Sequence, residues 1–247
     1  MSADTVVVAA GLRPYGTDGA AGAHSLDLDV LRGRIVCLVG PSGSGKTTWL
    51  RVLAGVDAPA AGSLHILDAD VSTLDAPSWR RLRCRAAFIA AGAPLLSVVN
   101  ALDNVMLPAL YHRLDTPDAI RMRAQETLEF LGYVSSTDVL PAYLSQHQCL
   151  LLAIARCLML SPQLLFLDEP FHMADDIYRR REAEIYRRLA RERNMTIFVA
   201  THHLGFVKHY ADDIVFIHAD GVWRFSGWQV FMKAPLPQVR AFLDVAA

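Results

Sequence analysis

Residues 34–55, RIVCLVGPSGSGKTTWLRVLAG, constrain this chain more than any other stretch. An apolar run at 35–39 reads as a strand. It stops at a turn built from Gly40, Pro41, Ser42, Gly43, Ser44 and Gly45, and a helix-period apolar pattern resumes from Trp49 to Leu53. Strand, glycine-rich turn and helix in that order match the spacing G-x-x-x-x-G-K-[ST], completed by Lys46, Thr47 and a further Thr48.

The residue types follow from what such a loop must do. Backbone N–H groups can wrap a polyphosphate only where side chains stay clear, so Gly40, Gly43 and Gly45 permit close approach and positive φ. Lys46 supplies a point charge to the outer phosphates, the hydroxyl of Thr47 faces Mg²⁺, and the helix N-terminus adds partial positive charge. The bland alternative is a glycine-rich βα turn that binds nothing.

Length suits one large domain, or a domain with a subdomain, able to bury a sizeable core. Twenty-four basic and 25 acidic residues give a net charge of −1, so bulk electrostatics predicts no nucleic-acid partner. The four cysteines, Cys37, Cys84, Cys149 and Cys157, lack C-x-x-C spacing and read as buried thiols of a reducing compartment. The first residues have no basic region and too short an apolar run for a signal peptide. The longest apolar stretch, 149–160, contains Arg156 and falls short of the roughly 20 residues a membrane span needs, so membrane association is expected only through a partner.

Residues 4–10 and 25–30 read as half-buried antiparallel strands, the second with strict alternation (SLDLDV), separated by a loop at 11–22 that carries Tyr15. A turn at 59–62 leads to a strand at 63–67. Further strands are expected at 86–90, 164–167 and 196–200, and a hairpin joins 214–218 to 222–225 through Asp220 and Gly221. Between 92 and 160 helical patterns take over, at 98–111, 117–131 and 145–160, with Thr116 and Pro117 as cap and first-turn proline. A charged helix is expected at 175–193, its arginines and glutamates on a solvated face, and two short helices end the chain. The expected fold class is α/β, a mostly parallel core (1–91 and 161–247) with an antiparallel layer, interrupted by a helical subdomain at 92–160.

A second acidic strand end comes from LLFLDEP at 164–170: Asp168 emerges where α/β ligands bind and can hold Mg²⁺, and Glu169 can orient or deprotonate an attacking water. After the next strand, Thr201, His202 and His203 follow. His202 can touch a terminal phosphate and position water, although a His pair by itself is usually just a polar loop; its place after the next strand is what raises the reading. A zinc site from His202, His203 and His209 lacks a fourth ligand nearby.

GPSGSGKTT at 40–48, LSQHQ at 144–148, LLFLDEP at 164–170, Asp175 seven residues beyond Asp168, and TH at 201–202 together resemble the nucleotide-binding subunit of an ABC transporter, across nearly the whole chain. The resemblance implies an ATPase using ATP and Mg²⁺, peripheral on the cytoplasmic face of the inner membrane and partnered by membrane permease subunits. It implies a second ABC ATPase subunit, with nucleotide held between the P-loop of one subunit and the signature segment, Ser145 to Gln148, of the other. By the same likeness Tyr15 stacks on adenine, Asp175 belongs to a loop that faces the second subunit, and His202 is the switch histidine. Stretches 95–108, 168–171 and 237–244 look most like ATPases of lipid-handling systems of the Mla or Lol kind.

Two departures from the family pattern stand out. Gln146 and His147 replace the glycines of LSGGQ, and S-x-x-Q at 145–148 is equally a capping box with no phosphate role. Ala91 stands where the family has a metal-contacting glutamine, and alanine has no side-chain donor or acceptor. These departures leave open an ATP-binding regulatory or catalytically weak subunit paired with an active partner.

Overall fold

The computed structural model describes residues 4–15, 24–171 and 176–246, without the side chains of 176, 177 and 246. An antiparallel sheet has the order β2 (Leu26–Leu31), β1 (Thr5–Pro14), β4 (Pro59–Ile66), β5 (Ala69–Asp70). A second sheet has the order β10 (Gly221–Phe225), β9 (Asp213–His218), β3 (Ile35–Val39), β8 (Thr196–Ala200), β7 (Leu164–Asp168), β6 (Ala86–Ile89). All its pairings are parallel except β10 with β9. Helix α1 (Lys46–Leu53) follows β3, and α2 (Ala76–Arg85) precedes β6. The helical block is α3 (Ala101–Tyr111), α4 (Pro117–Phe130) and α5 (Gln146–Leu158); α6 (Asp176–Glu192), α7 (Leu204–Tyr210), α8 (Trp228–Met232) and α9 (Pro237–Ala246) complete the chain. The fold is thus the expected α/β arrangement with an antiparallel layer and helices.

Strand β3 is buried at all five positions, and its period-two geometry divides it between two cores. Val36 and Leu38 join the apolar cluster beneath the antiparallel sheet and α1, whereas Ile35, Cys37 and Val39 join the one beneath α5, α6 and α7. In β2 the alternation predicted from SLDLDV at 25–30 is realised, with Leu26, Leu28 and Val30 inward and the aspartates outward. Of the four cysteines, all free thiols, only Cys37 is fully buried, so the expectation of four buried thiols is corrected. Cys157 lies deep enough that burial pushes its thiol up to about 11.

Two strands run further than expected. The loop predicted from Gly11 instead extends β1 to Pro14, and the turn predicted at 59–62 is the start of β4. Both reversals have one cause: Gly11 (φ 55°) and Gly62 (φ 85°) face each other across a register break, so closely that a Cβ on Gly62 would stand 2.3 Å from the Gly11 carbonyl oxygen. Two glycines opposed across a ladder make a bulge where each alone reads as a turn. Helix α3 starts at Ala101 rather than 98, because Asn100 caps it by accepting from the Asp103 amide. One turn on, the fully buried Asn104 donates to the Leu96, Val99 and Asn100 carbonyls and accepts from the Leu96 amide, pinning the preceding loop to the helix.

The carboxylate of Asp213 is fully buried at the start of β9 and accepts from Arg34 Nη1 at 2.8 Å and Arg224 Nη2 at 3.0 Å, tying the sheet's edge to the entry of β3. Asp213→Ala is expected to lower the unfolding free energy by about 2–3 kcal/mol, since charge-assisted bonds are lost while both guanidinium groups retain access to water. Urea denaturation measures this; a loss below about 0.5 kcal/mol would show the tie to be energetically idle.

Candidate active site

Three adjacent strands end at one level. Register pairs Leu38 of β3 with Ala200 of β8, and Ala200 with Asp168 of β7. Beyond that level the Thr201 amide donates to the Leu38 carbonyl (3.0 Å) and the Glu169 amide to the Ala200 carbonyl (2.9 Å). The glycine loop after β3, the acidic pair after β7 and the histidine turn after β8 therefore open onto the same edge, the carboxyl end of a parallel sheet.

The loop's shape depends on Gly40. A Cβ there would lie 2.0 Å from the Ile217 carbonyl oxygen, so only glycine lets the chain pass beneath β9. Gly45 has φ 92° and is the N-cap of α1; it offers no side-chain cap, and no acidic residue stands in the first turn. The first α1 amides are thus oriented outward for an anion, with Gly43 (φ 76°) and its open surroundings beside them. Pro41 bends back so that its carbonyl accepts from the Ser44 amide, while Ser42 is exposed and Thr48 half-buried behind Thr47. The Ser44 hydroxyl is buried without a hydrogen-bond partner.

Lys46 is 8% exposed, and its Nζ donates to the Gly40 and Pro41 carbonyls at 3.1 and 3.0 Å. Burial lowers its pKa from the ordinary lysine value, against the opposing pull of Glu169 and Asp168. Thr47 Oγ1 donates to Asp168 Oδ1 at 2.9 Å, and burial raises the Asp168 pKa against the Thr47 hydrogen bond and the Lys46 charge. A hydroxyl and a carboxylate converging from two strand ends form the hard oxygen pair that Mg²⁺ takes, and the orphan Ser44 hydroxyl and uncapped α1 suit a polyphosphate. The residues fit both groups.

Glu169 sits at φ 44°, a left-handed conformation that a side-chain-bearing residue adopts at a cost. The turn aims its carboxylate at the next strand end, where His202 Nδ1 donates to Glu169 Oε2 at 2.9 Å. Sequence spacing named both residues but not their pairing, which arises from β7 and β8 being neighbours in the sheet.

At the start of α5 the capping box is formed: Ser145 Oγ accepts from the Gln148 amide and Gln148 Oε1 from the Ser145 amide, while Gln148 Nε2 donates to Ser135 Oγ. His147 turns inward and donates from Nδ1 to Glu182 Oε1 at 2.8 Å, and Gln146 is exposed. Glu182 is 1% exposed, which corrects the reading of every charge on α6 as solvated. Its place in the buried stripe that includes Ile185 and Leu189 was the available signal. Gln146, His147 and Glu182 line a cleft of about 220 Å³ together with Asp168, Glu169 and the turn after β6 on either side of Ala91. Tyr15 stands 67% exposed just past β1, and Asp175 lies outside the described residues.

The chain matches the family described as ABC transporter over residues 23–172. It is 30% identical over 221 residues to the methionine import ATP-binding protein MetN 1 of Acinetobacter baylyi, covering 89% of this chain and 62% of that protein. It is 35% identical over 190 residues to the macrolide export ATP-binding/permease protein MacB of Escherichia coli, covering 76% of this chain and 29% of that one. The chain thus spans less than two thirds of either relative. Among solved structures, the dimeric post-hydrolysis ATP-binding cassette MJ0796, bound to ADP and Pi, superimposes with a TM-score of 0.78 at 24% identity, covering 89% of this chain and 98% of that one. Cbio1 of Clostridium perfringens, part of the cbiONQ complex, gives 0.81 at 22% identity, covering 98% and 99%. At these identities the two structures bear on the fold.

The left-handed turn at Glu169 predicts its own relief. Glu169→Gly is expected to raise the unfolding free energy by up to about 1 kcal/mol, whereas Glu169→Ala, which keeps a Cβ, is not. Chemical denaturation of the two variants distinguishes them, and an equal gain in both would place the strain elsewhere.

Proposed function

The chain belongs to the ABC transporter family, and from that premise we propose that it binds and hydrolyses MgATP to drive a separate membrane permease. The observation that carries this reading is the convergence of Lys46, Thr47–Asp168 and Glu169–His202 on one sheet edge. The loop amides and Lys46 Nζ hold the triphosphate, with Lys46 exchanging its loop carbonyls for phosphate oxygens. Thr47 and Asp168 would hold Mg²⁺, which would supply neutralisation of the charge developing on the transferred phosphoryl group. Glu169 accepts the proton of the water that attacks the γ-phosphorus, and ADP leaves with the β–γ bridging oxygen. His202, having given Nδ1–H to Glu169, keeps that carboxylate oriented; its Nε2 can donate to a phosphate oxygen only as imidazolium.

A second ATPase subunit completes the site by presenting the Ser145 end of α5, and Tyr15 stacks on adenine. By the family likeness the assembly is placed at the cytoplasmic face of the membrane, with the permease supplying the membrane-crossing part; among the described residues no helix is long and apolar enough to cross a membrane. The permease docks on the helical block. Supporting this, α3 exposes Leu107, Leu110 and Tyr111, followed by Leu114, at helical spacing beside a groove of about 370 Å³ rimmed by Arg83 and Arg156. A lipid cargo is the finer form of the proposal, resting on the likeness of 95–108, 168–171 and 237–244 to Mla and Lol ATPases.

A second reading, an ATP-holding subunit with weak turnover beside an active partner, is favoured by Ala91 and by the side chains at 146 and 147. Single-turnover kinetics separate the two. Lys46→Ala is expected to weaken MgATP binding at least about tenfold. Glu169→Gln is expected to bind normally yet slow cleavage by about 100-fold or more. Wild-type binding without cleavage would select the weak subunit, and unaltered binding in Lys46→Ala would remove the nucleotide reading altogether.

A further inference from the structure

We propose that His147 is a positioning residue: through Glu182 it latches the first turn of α5 to α6 and so sets the width of the cleft that faces Glu169. Two walls that share one apolar core meet at this cleft. On one side, Phe171, which follows the Glu169 turn, packs its ring 5.8 Å from Tyr186 of α6 and 4.8 Å from Phe206 of α7, the helix that follows His202. These three rings, all nearly or fully buried, make α6, α7 and the segments bearing Glu169 and His202 one packed unit. On the other side stands the helical block, whose α5 buries Leu150 to Ala155 against its neighbours and ends, nearest the site, in the Ser145 cap.

At the mouth of the cleft His147 joins the two walls, while deeper in the fold Arg188 of α6 donates to the Phe130 carbonyl at the end of α4. Its imidazole donates to Glu182 at 2.8 Å and lies 4.4 Å from the Tyr178 ring at an interplanar angle of 33°. Tyr178, Glu182 and Tyr186 follow one another at four-residue spacing along a single face of α6. A bond to a carboxylate that is 1% exposed is poorly replaced by water when it breaks, so the pair resists separation of the helices it joins. Unlatched, the α5 end can swing from the cleft wall and alter how closely Gln146 and the Ser145 cap approach Asp168 and Glu169. A glycine at 147 would therefore loosen the site of this chain, however well glycine suits the family pattern.

The kinetic arm of the test rests on the hydrolysis reading above; the exchange arm does not. Hydrogen exchange of the full chain is compared for wild type, His147→Gly, His147→Gln and the isosteric Glu182→Gln, alongside steady-state ATPase measurements. His147→Gly is expected to speed exchange at 146–150 by about tenfold, with Glu182→Gln intermediate. It is also expected to lower kcat about fivefold with KM for ATP held within about twofold, since the Lys46 loop is untouched. His147→Gln, whose amide still donates to Glu182, is expected to recover most of both. Unchanged exchange in His147→Gly overturns the latch. Faster exchange with unchanged or higher kcat reduces it to a packing contact and overturns the positioning role. A wild type that fails to turn over MgATP sinks the hydrolysis reading, while the exchange series still decides the latch.

Discussion

The geometry of the site depends on register between β3, β8 and β7. Slipping β7 by one residue against β8 would turn Asp168 toward an apolar core and leave Leu167 at the sheet edge, because side chains alternate faces with period two. What resists the slip is far from the chemistry. Phe166 and Phe198 stack at 4.7 Å on one face, both fully buried, while Leu165, Leu167, Ile197 and Val199 fill the core on the other. Large side chains on both faces make any shifted pairing costly, so the packing of two cores decides where a carboxylate and a histidine emerge.

The same alternation explains why so much was legible. The P-loop spacing, the period-two pattern of β2, the apolar run ending in Asp168 and Glu169, and the Thr116–Pro117 helix start are local signals, each read within a few residues. The misreadings were pairwise. Gly11 and Gly62 each look like a turn until β1 and β4 lie side by side. Glu182 looks solvated until α5 packs on α6. Helix α2 has Asp75 and Pro77 at its start, but its arginine-rich sequence buries only Leu82 and so offers little apolar pattern to read. The Glu169–His202 pair could not be read at all, because 33 residues separate partners that only strand order brings together.

Charge at the site is arranged as a set of mutual restraints. Lys46 is buried beside two carboxylates yet has its proton affinity lowered, so desolvation outweighs both attractions. Asp168 has its proton affinity raised despite Thr47 and Lys46, for the same reason. Each group sits where its charged form is under-solvated, and each gains when an opposite charge arrives close by. A site poised in this way favours a ligand that brings anionic oxygens to Lys46 and a cation to Asp168 together, because either alone leaves the other group as poorly compensated as before.

The first turn of α5 shows how the two replaced glycines can coexist with such a ligand. Of its polar side chains, Ser145 and Gln148 are engaged in the cap, Gln148 reaches on to Ser135, and His147 is turned to Glu182. Gln146 is exposed at the rim of the cleft. A phosphate approaching this helix end from a facing subunit would meet the N-terminal amides with one flexible amide side chain beside them, itself able to donate a hydrogen bond. The obstacle implied by two added side chains reduces to one that can rotate. The departures at 146 and 147 therefore do not by themselves demand an asymmetric partner.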